Sequence, residues 1–315
     1  MNFGNAYVRY NTLISNMIGF WGNQFLYRFF LVFVVWKYSR KVVGDPKFPC
    51  YFIFGDSLLD VGNNNGLKTG AKANYLPYGI DFPQGPTGRF SNGSGILDES
   101  GENVILNHKK MISLIKTQQG NESYTKAYIK KCLYTIQIGN NDYINNYFAP
   151  NSVDKRHNVS PDQFATTLVN QLSQQLKATR KLCISGSGQI GCVPAEKRLF
   201  GTRIACVKEI NDALNIFNAK IQSLLVDLNI NLEDAKFVYH DLNNPTSGPP
   251  QFDGILNVNS SCCKVSTKGV TRGQCRPSNV TCFHRNNYWF FDEFHPTEFA
   301  NHFFSRQMLQ AISLL

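Results

Sequence analysis

The chain lacks several features that would place it in a common class. No block of Lys or Arg is long enough to form a nucleic-acid-binding arm, although the net charge is +10 and the pI is near 9.1. No Cys-x-x-Cys pair with histidine partners is present, so no zinc site is predicted. Repeats and low-complexity tracts are also lacking. The scattered basic residues indicate a solvated surface or, as the alternative, adhesion to an acidic polysaccharide matrix.

A membrane-spanning run is missing as well. The apolar stretch Phe25–Trp36 is interrupted by Arg28 and falls short of the roughly 20 residues that cross a bilayer. It fits the apolar region of a secretory signal peptide, although its leading segment is long. We therefore predict a signal peptide over residues 1–44, removed near Gly44, with a signal anchor as the alternative. Residues 45–315 are predicted to form a single domain.

Cysteine, in contrast, is plentiful. Nine cysteines are many for a cytosolic enzyme, so disulfides and a secretory route are predicted. Cys50, Cys132 and Cys183 lie in predicted strands and are expected to be buried thiols. Five Asn-x-Ser/Thr sequons agree with secretion and are candidate glycosylation sites: Asn92, Asn121, Asn158, Asn259 and Asn279.

Strand-like and helix-like segments alternate after residue 48, which predicts an α/β fold with a parallel sheet covered by helices. The strand candidates are Cys50–Phe54, Cys132–Ile138, Lys181–Ser185 and Lys236–His240. A helix is predicted to start at Ser160, with proline and glutamine in the positions of a capping box. Apolar residues spaced by three and four from Val207 to Leu228 predict a second helix, and Thr297–Leu315 a last one.

Two distant segments carry the residues of a nucleophilic hydrolase. Ser57 follows the first predicted strand directly, after Gly55 and Asp56, where a sharp turn can present its hydroxyl. Far downstream, Asp292 and His295 are three residues apart. A serine hydroxyl needs a base to take its proton, and the base needs a carboxylate to orient it. The three residues therefore predict a Ser57–His295–Asp292 triad.

A third segment, Gly139-Asn140-Asn141-Asp142, follows the second predicted strand. Glycine and asparagine favour turns, so it can be structural. As the functional alternative, the amide of Asn141 stabilises a developing oxyanion together with the backbone amide of Ser57. In an open parallel sheet, the carboxyl ends of the strands form the ligand crevice, which suits both segments.

These motifs resemble the GDSL esterase/lipase family, also called SGNH hydrolases, in its plant branch. Ser57 stands in the family's first block, Asn141 in the third, and Asp292 with His295 in the last. Further matching stretches are Asn63–Asn65, Leu76–Gly79, Thr87–Gly93, Gly191–Pro194 and Cys262-Cys263. The resemblance implies a three-layer α/β/α, flavodoxin-like fold and acyl-ester hydrolysis without metal or cofactor.

The second block departs from the family pattern. In relatives, a helix and a strand lead from the Arg-Phe-Ser-Asn-Gly stretch to a glycine that donates its amide to the oxyanion. Here Gly93 runs directly into Ser94. We expect the sheet to lack one edge strand and the activity to be impaired, with Gly93 or Gly95 as candidate replacement donors.

The resemblance and the predicted secretion also imply disulfides. Cys192 is expected to pair with Cys206, and the cluster Cys262, Cys263, Cys275 and Cys282 to form two bridges whose pairing stays open. The chain is thus predicted to be a secreted carboxylic-ester hydrolase. Its partner is a small-molecule or lipid ester, with no nucleic acid and with contact to cell-wall polysaccharide as an option. The alternative is a non-catalytic secreted glycoprotein that binds wall polymers.

Overall fold

The structure, a computed structural model, describes residues 47–98, 108–150, 152, 158–202, 204–242, 257–265 and 273–315. The strands are β1 (Tyr51–Gly55), β2 (Leu133–Gln137), β3 (Lys181–Ser185), β4 (Lys236–His240), β5 (Asn257–Ser261) and β6 (Tyr288–Phe290). The α-helices are α1 (His108–Gln119), α2 (Glu122–Lys131), α3 (Pro161–Leu176), α4 (Pro194–Leu199), α5 (Lys208–Asn231) and α6 (Glu298–Ser313). The predicted leader lies outside the described residues.

The first four strands form one parallel sheet in the order β1-β2-β3-β4. This confirms the predicted parallel sheet. The bounds of β3 and β4 are as predicted, whereas β1 and β2 each begin one residue later. In the part of the chain that the structure describes, β1 is an edge strand, and the side chain of Phe54 at its end is 39% exposed. Among the described residues, the main sheet thus has four strands with β1 at one edge; the loss of an edge strand relative to the family stays a prediction.

Alternating side chains of the strands bind helices to both faces of the sheet. Tyr134 and Leu182 share a core with apolar residues of α3 and α5. Leu133 and Cys183 are the strand neighbours of these two residues. They point to the opposite face of the sheet and pack against Ala311 of α6. The fold is therefore a three-layer α/β/α arrangement, as predicted.

Local sequence signals explain where the main helices begin. The Ser160 hydroxyl accepts a hydrogen bond from the Gln163 amide, and the Gln163 side chain accepts one from the Ser160 amide. This is the predicted capping box at the start of α3. At α6, the Thr297 hydroxyl accepts from the Ala300 amide. Helix α6 begins only three residues after His295, so its N-cap Thr297 also fixes the end of the segment that carries this histidine.

Several elements were not predicted. Helices α1 and α2 connect β1 to β2, and the strands β5 and β6 form a second, two-stranded sheet. Helix α2 is capped by Asn121, whose side-chain oxygen accepts from the Tyr124 amide. Among the described residues, no helix is both long and apolar enough to cross a membrane.

Four cysteine pairs are joined as disulfides. They are Cys50–Cys132, Cys192–Cys206, Cys262–Cys282 and Cys263–Cys275. The first pair corrects the prediction that Cys50 and Cys132 are buried thiols. Each of these residues directly precedes a strand, and the parallel register pairs Tyr51 with Leu133, so the two cysteines are neighbours. Cys183 is a free, buried thiol, as expected.

Candidate active site

A tight turn after β1 presents Ser57. The Asp56 carboxylate accepts a hydrogen bond from the Leu58 amide at 3.0 Å, and the Asp56 carbonyl accepts one from the Leu59 amide at 3.2 Å. Gly55 is required here because a Cβ atom at this position would overlap the Leu59 side chain. The Ser57 amide has no hydrogen-bond acceptor among the described residues. It is therefore free to donate to a substrate oxygen.

The imidazole of His295 lies between Ser57 and Asp292. Its Nε2 is 2.7 Å from the Ser57 Oγ, and its Nδ1 is 2.9 Å and 2.8 Å from the two carboxylate oxygens of Asp292. Asp292 is fully buried, and His295 is 5% exposed. The structure thus brings together the three side chains that were predicted from residues 238 positions apart.

The spacing between Asp292 and His295 has a local cause. The Asp292 Oδ1 accepts hydrogen bonds from the backbone amides of Phe294 at 2.8 Å and His295 at 2.7 Å. A carboxylate that bonds amides two and three residues ahead closes a turn. This turn places the imidazole beside the carboxylate, so the Asp-x-x-His spacing brings the two side chains together locally.

Tyr78 is a member of the site that the sequence did not reveal. Its hydroxyl donates to the Asp292 Oδ2 at 2.6 Å and accepts from the Cys275 amide at 3.1 Å. Burial, and then the Asp292 charge, raise the pKa of Tyr78 well above its usual value, so the phenol stays a donor. The Leu76–Gly79 stretch carried the family resemblance, but its tyrosine had no predicted role.

Two further side chains surround the imidazole segment. The Phe90 ring lies 4.7 Å from the His295 ring, centroid to centroid. The Arg198 guanidinium of α4 forms an ion pair with the carboxylate of Glu293, the neighbour of Asp292. These contacts exclude water from one face of the imidazole and tie its segment to α4.

The predicted oxyanion residue Asn141 follows β2, as Ser57 follows β1. Its side chain is exposed, and its Oδ1 accepts a hydrogen bond from the Asn145 Nδ2 at 3.0 Å. The neighbouring Asn140 is buried, and its Nδ2 donates to the Asp56 carboxylate at 3.5 Å. Burial raises the pKa of Asp56. The carboxyl ends of β1 and β2 are thus joined through Asp56 and Asn140.

The two candidate replacement glycines do not serve the oxyanion. The Gly95 amide already donates its hydrogen to the Asp98 carboxylate at 2.6 Å, so it does not donate to an oxyanion. Gly93 lies directly against the carboxylate of Glu298, and its amide faces the Ser91 hydroxyl at 3.4 Å. A second negative charge next to Glu298 would be repelled. The structure therefore contradicts both candidates.

One of the five sequons is also corrected. Asn92 is fully buried, its Nδ2 donates to Asp81 at 2.8 Å, and its Oδ1 accepts from the Glu298 amide at 2.9 Å. An asparagine in this position has no room for a glycan in the folded protein. Asn121, Asn158 and Asn259 are exposed, and Asn279 is half-buried.

A cavity of about 390 Å³ lies next to the segments that carry Ser57 and His295. Leu58 and Pro296, the chain neighbours of Ser57 and His295, form part of its wall. The volume lies within the range of small-molecule sites. Its other walls are mainly apolar, with Ile190, Val193, Val258, Trp289, Phe290 and Phe294 among them. In the described parts of the chain, no group of three or more His, Cys, Asp or Glu side chains could hold a metal ion.

Comparison with known proteins gives consistent matches. The family model for GDSL-like lipase/acylhydrolase matches residues 51–308. One GDSL esterase/lipase of Arabidopsis thaliana is 36% identical over 318 residues, covering 82% of this chain and 87% of the relative. Another from the same plant is 35% identical over 331 residues, covering 87% and 90%. Each alignment is longer than the part of this 315-residue chain that it covers, so the relatives contain residues without a counterpart here.

The search of solved structures matches an acetylxylan esterase, Axe2, from Geobacillus stearothermophilus. The TM-score is 0.36 and the identity 12%, covering 86% of this chain and 95% of the esterase.

Proposed function

The chain belongs to the GDSL-like lipase/acylhydrolase family and is an esterase-type hydrolase; from that premise, we propose that it is secreted and cleaves carboxylic esters through an acyl-enzyme on Ser57. The observation that carries the proposal is the continuous hydrogen-bond chain from the Ser57 Oγ through the His295 ring to the Asp292 carboxylate.

In the first half of the reaction, the Ser57 Oγ forms a bond to the ester carbonyl carbon while its proton passes to the His295 Nε2. The carbonyl electron pair moves to the oxygen, which becomes the oxyanion. When this intermediate collapses, the bond to the alcohol oxygen breaks, and the alcohol leaves with the proton from His295. Asp292 remains ionised and stabilises the imidazolium, held by Tyr78 and by two backbone amides.

In the second half, water replaces the alcohol. His295 takes a proton from the water as the water oxygen attacks the acyl carbon, and it returns this proton to the Ser57 Oγ when the acid leaves. The oxyanion of both halves accepts hydrogen bonds from the Ser57 amide and from Asn141. Because Asn145 holds the Oδ1 of Asn141, the Nδ2 hydrogens of Asn141 point away from that bond and are free to donate.

A fluorophosphonate probe tests the proposal directly, because it labels only an activated serine. We expect the wild-type protein to be labelled and the Ser57→Ala variant to remain unlabelled. Ser173→Ala is the matched control, since the Ser173 hydroxyl only bonds the Asn170 carbonyl on the exposed side of α3. A folded wild-type protein that takes up no probe would instead support the non-catalytic glycoprotein.

Secretion is proposed from the predicted leader, the sequons and the four disulfides. Expression in plant cells should yield a shortened, glycosylated extracellular product, whose mass falls on treatment with an N-glycosidase. A full-length product without glycans inside the cell would argue against it. The net charge of +10 further favours contact with acidic wall polysaccharide, which should weaken as salt is added.

A further inference from the structure

A buried lysine, Lys197 of α4, lies in the wall of the cavity beside the triad. It is 2% exposed, and its Nζ donates to the Val258 carbonyl at 3.3 Å and to the Asn259 Oδ1 at 3.0 Å. An ammonium group has three hydrogens. Both acceptors are neutral, and the third hydrogen has no acceptor among the described residues. The Lys197 ammonium is therefore incompletely bonded at the cavity wall.

The charge of Lys197 is also unmatched. Among the described residues of the cavity wall, Lys197 is the only one with a formal charge. Arg198, the next residue of α4, in contrast forms an ion pair with the Glu293 carboxylate. Among the described residues, no acidic side chain forms an ion pair with Lys197, and burial lowers its pKa. Keeping a cation buried against neutral groups costs free energy, and an anionic ligand would offset that cost.

We propose that Lys197 binds a carboxylate at the distal end of the substrate's acyl chain, so that the enzyme acts on half-esters of dicarboxylic acids. This rests on the proposed function. The scissile carbonyl lies at Ser57, next to Leu58 and Pro296 of the cavity wall. The methylene groups contact the apolar walls, and the distal carboxylate accepts the unused hydrogen of Lys197. Such a substrate matches the three chemical features of the cavity in one molecule.

A pair of substrates with equal chain length tests the proposal. We compare mono-para-nitrophenyl octanedioate, which ends in a carboxylate, with para-nitrophenyl octanoate, which ends in a methyl group. The measured quantity is the ratio of their kcat/KM values. Lys197→Met should lower this ratio by about 10- to 100-fold, as expected for the loss of one charge-assisted hydrogen bond. Lys208→Met is the control, because Lys208 is exposed and pairs with Asp212 on α5. An unchanged ratio in Lys197→Met would overturn the proposal.

Lys197→Gln is the second variant, because an amide keeps donors for the two neutral acceptors. Lys197→Gln should also lower the ratio, and it replaces Lys197→Met as the test if that variant does not fold. The wild-type protein provides an independent readout through a series of half-esters of increasing length. Since the carboxylate must reach Lys197, kcat/KM should peak at one length. A wild-type preference for the methyl-terminated ester at every length would contradict the proposal.

Binding to an inactive variant separates this inference from the proposed reaction. Calorimetry of mono-para-nitrophenyl octanedioate with Ser57→Ala measures the cavity without chemistry. We expect binding that weakens about 10- to 100-fold in the double variant Ser57→Ala/Lys197→Met. If this holds while the wild-type protein fails to react with fluorophosphonate, the site stands and the mechanism fails. If the wild-type protein reacts but binding is independent of Lys197, only the present inference fails.

Discussion

The hydroxyl of Tyr78 offers the sharpest test of how the triad is held. Asp292 is fully buried, and its carboxylate accepts hydrogen bonds from the Tyr78 hydroxyl, from two backbone amides and from the His295 ring. Tyr78→Phe removes only the first of these bonds. It also leaves the Cys275 amide without the acceptor it now uses.

The magnitude follows from these two losses. A hydrogen bond to a charged group contributes about 1.5–3 kcal/mol, and an unsatisfied buried amide costs about 1–3 kcal/mol. We therefore expect Tyr78→Phe to lower the free energy of unfolding by about 3 kcal/mol. Three bonds still hold the carboxylate, so turnover should fall about ten-fold, equivalent to about 1.4 kcal/mol in the activation barrier. This is far less than the loss expected on removing Asp292 itself.

Tyr75→Phe is the matched control. The Tyr75 hydroxyl donates to the Cys275 carbonyl at 2.8 Å, and its ring lies 5.5 Å from the Tyr78 ring, but it does not bond Asp292. The control should lose about 1 kcal/mol of stability and keep its turnover. Urea denaturation and the rate of fluorophosphonate labelling measure the two effects. If Tyr78→Phe and Tyr75→Phe are equal in both, the Tyr78 hydroxyl does not position the carboxylate.

Four further outcomes are expected. Asn141→Ala should lower kcat by about 10²–10³-fold as an oxyanion donor is lost, whereas Asn140→Ala should mainly lower the melting temperature. Burial lowers the pKa of His240, so the neutral ring contributes its full stability above pH about 6.5, and this contribution is lost as the pH falls below that value. In His240→Asn, the free energy of unfolding should therefore depend less on pH below about 6.5. Burial raises the pKa of Cys183 to about 12, so iodoacetamide should modify this thiol only after unfolding. Inserting the family's helix-strand-glycine segment after Gly93 should raise both turnover and melting temperature, and no change in either would show that the segment is dispensable.

The parts of the fold that were predicted correctly are those with local signals. The capping box at Ser160 and the apolar spacing of α5 act within a few residues, so they can be recognised without the fold. The strands β3 and β4 are short, mostly apolar runs. Helices α1 and α2 were missed because each contains three lysines and few apolar residues, so the apolar positions did not stand out in the sequence.

The errors at the site concern contacts between distant residues. Cys50 and Cys132 are bonded because their strands pair in parallel, 82 positions apart, and no spacing rule reveals that register. Tyr78 contacts Asp292 over 214 positions, and no local sequence pattern indicates that contact either. Asn92 satisfies the sequon pattern, yet its side chain is buried and both its nitrogen and its oxygen form hydrogen bonds within the protein. Pattern alone identifies residue types with the right chemistry, whereas exposure and partners follow only from packing.

The chain order of the triad explains how the site can remain intact beside an abbreviated second block. Ser57 is held by the turn after β1, and His295 by its turn with Asp292 and by the cap of α6. Neither support uses residues that would follow Gly93 in relatives. The Gly93–Ser94 junction instead packs on α6 through Glu298, which accepts a hydrogen bond from the Ser94 amide at 2.8 Å. The junction thus supports the helix that follows His295, so the catalytic geometry does not depend on the oxyanion donor that we predict to be missing.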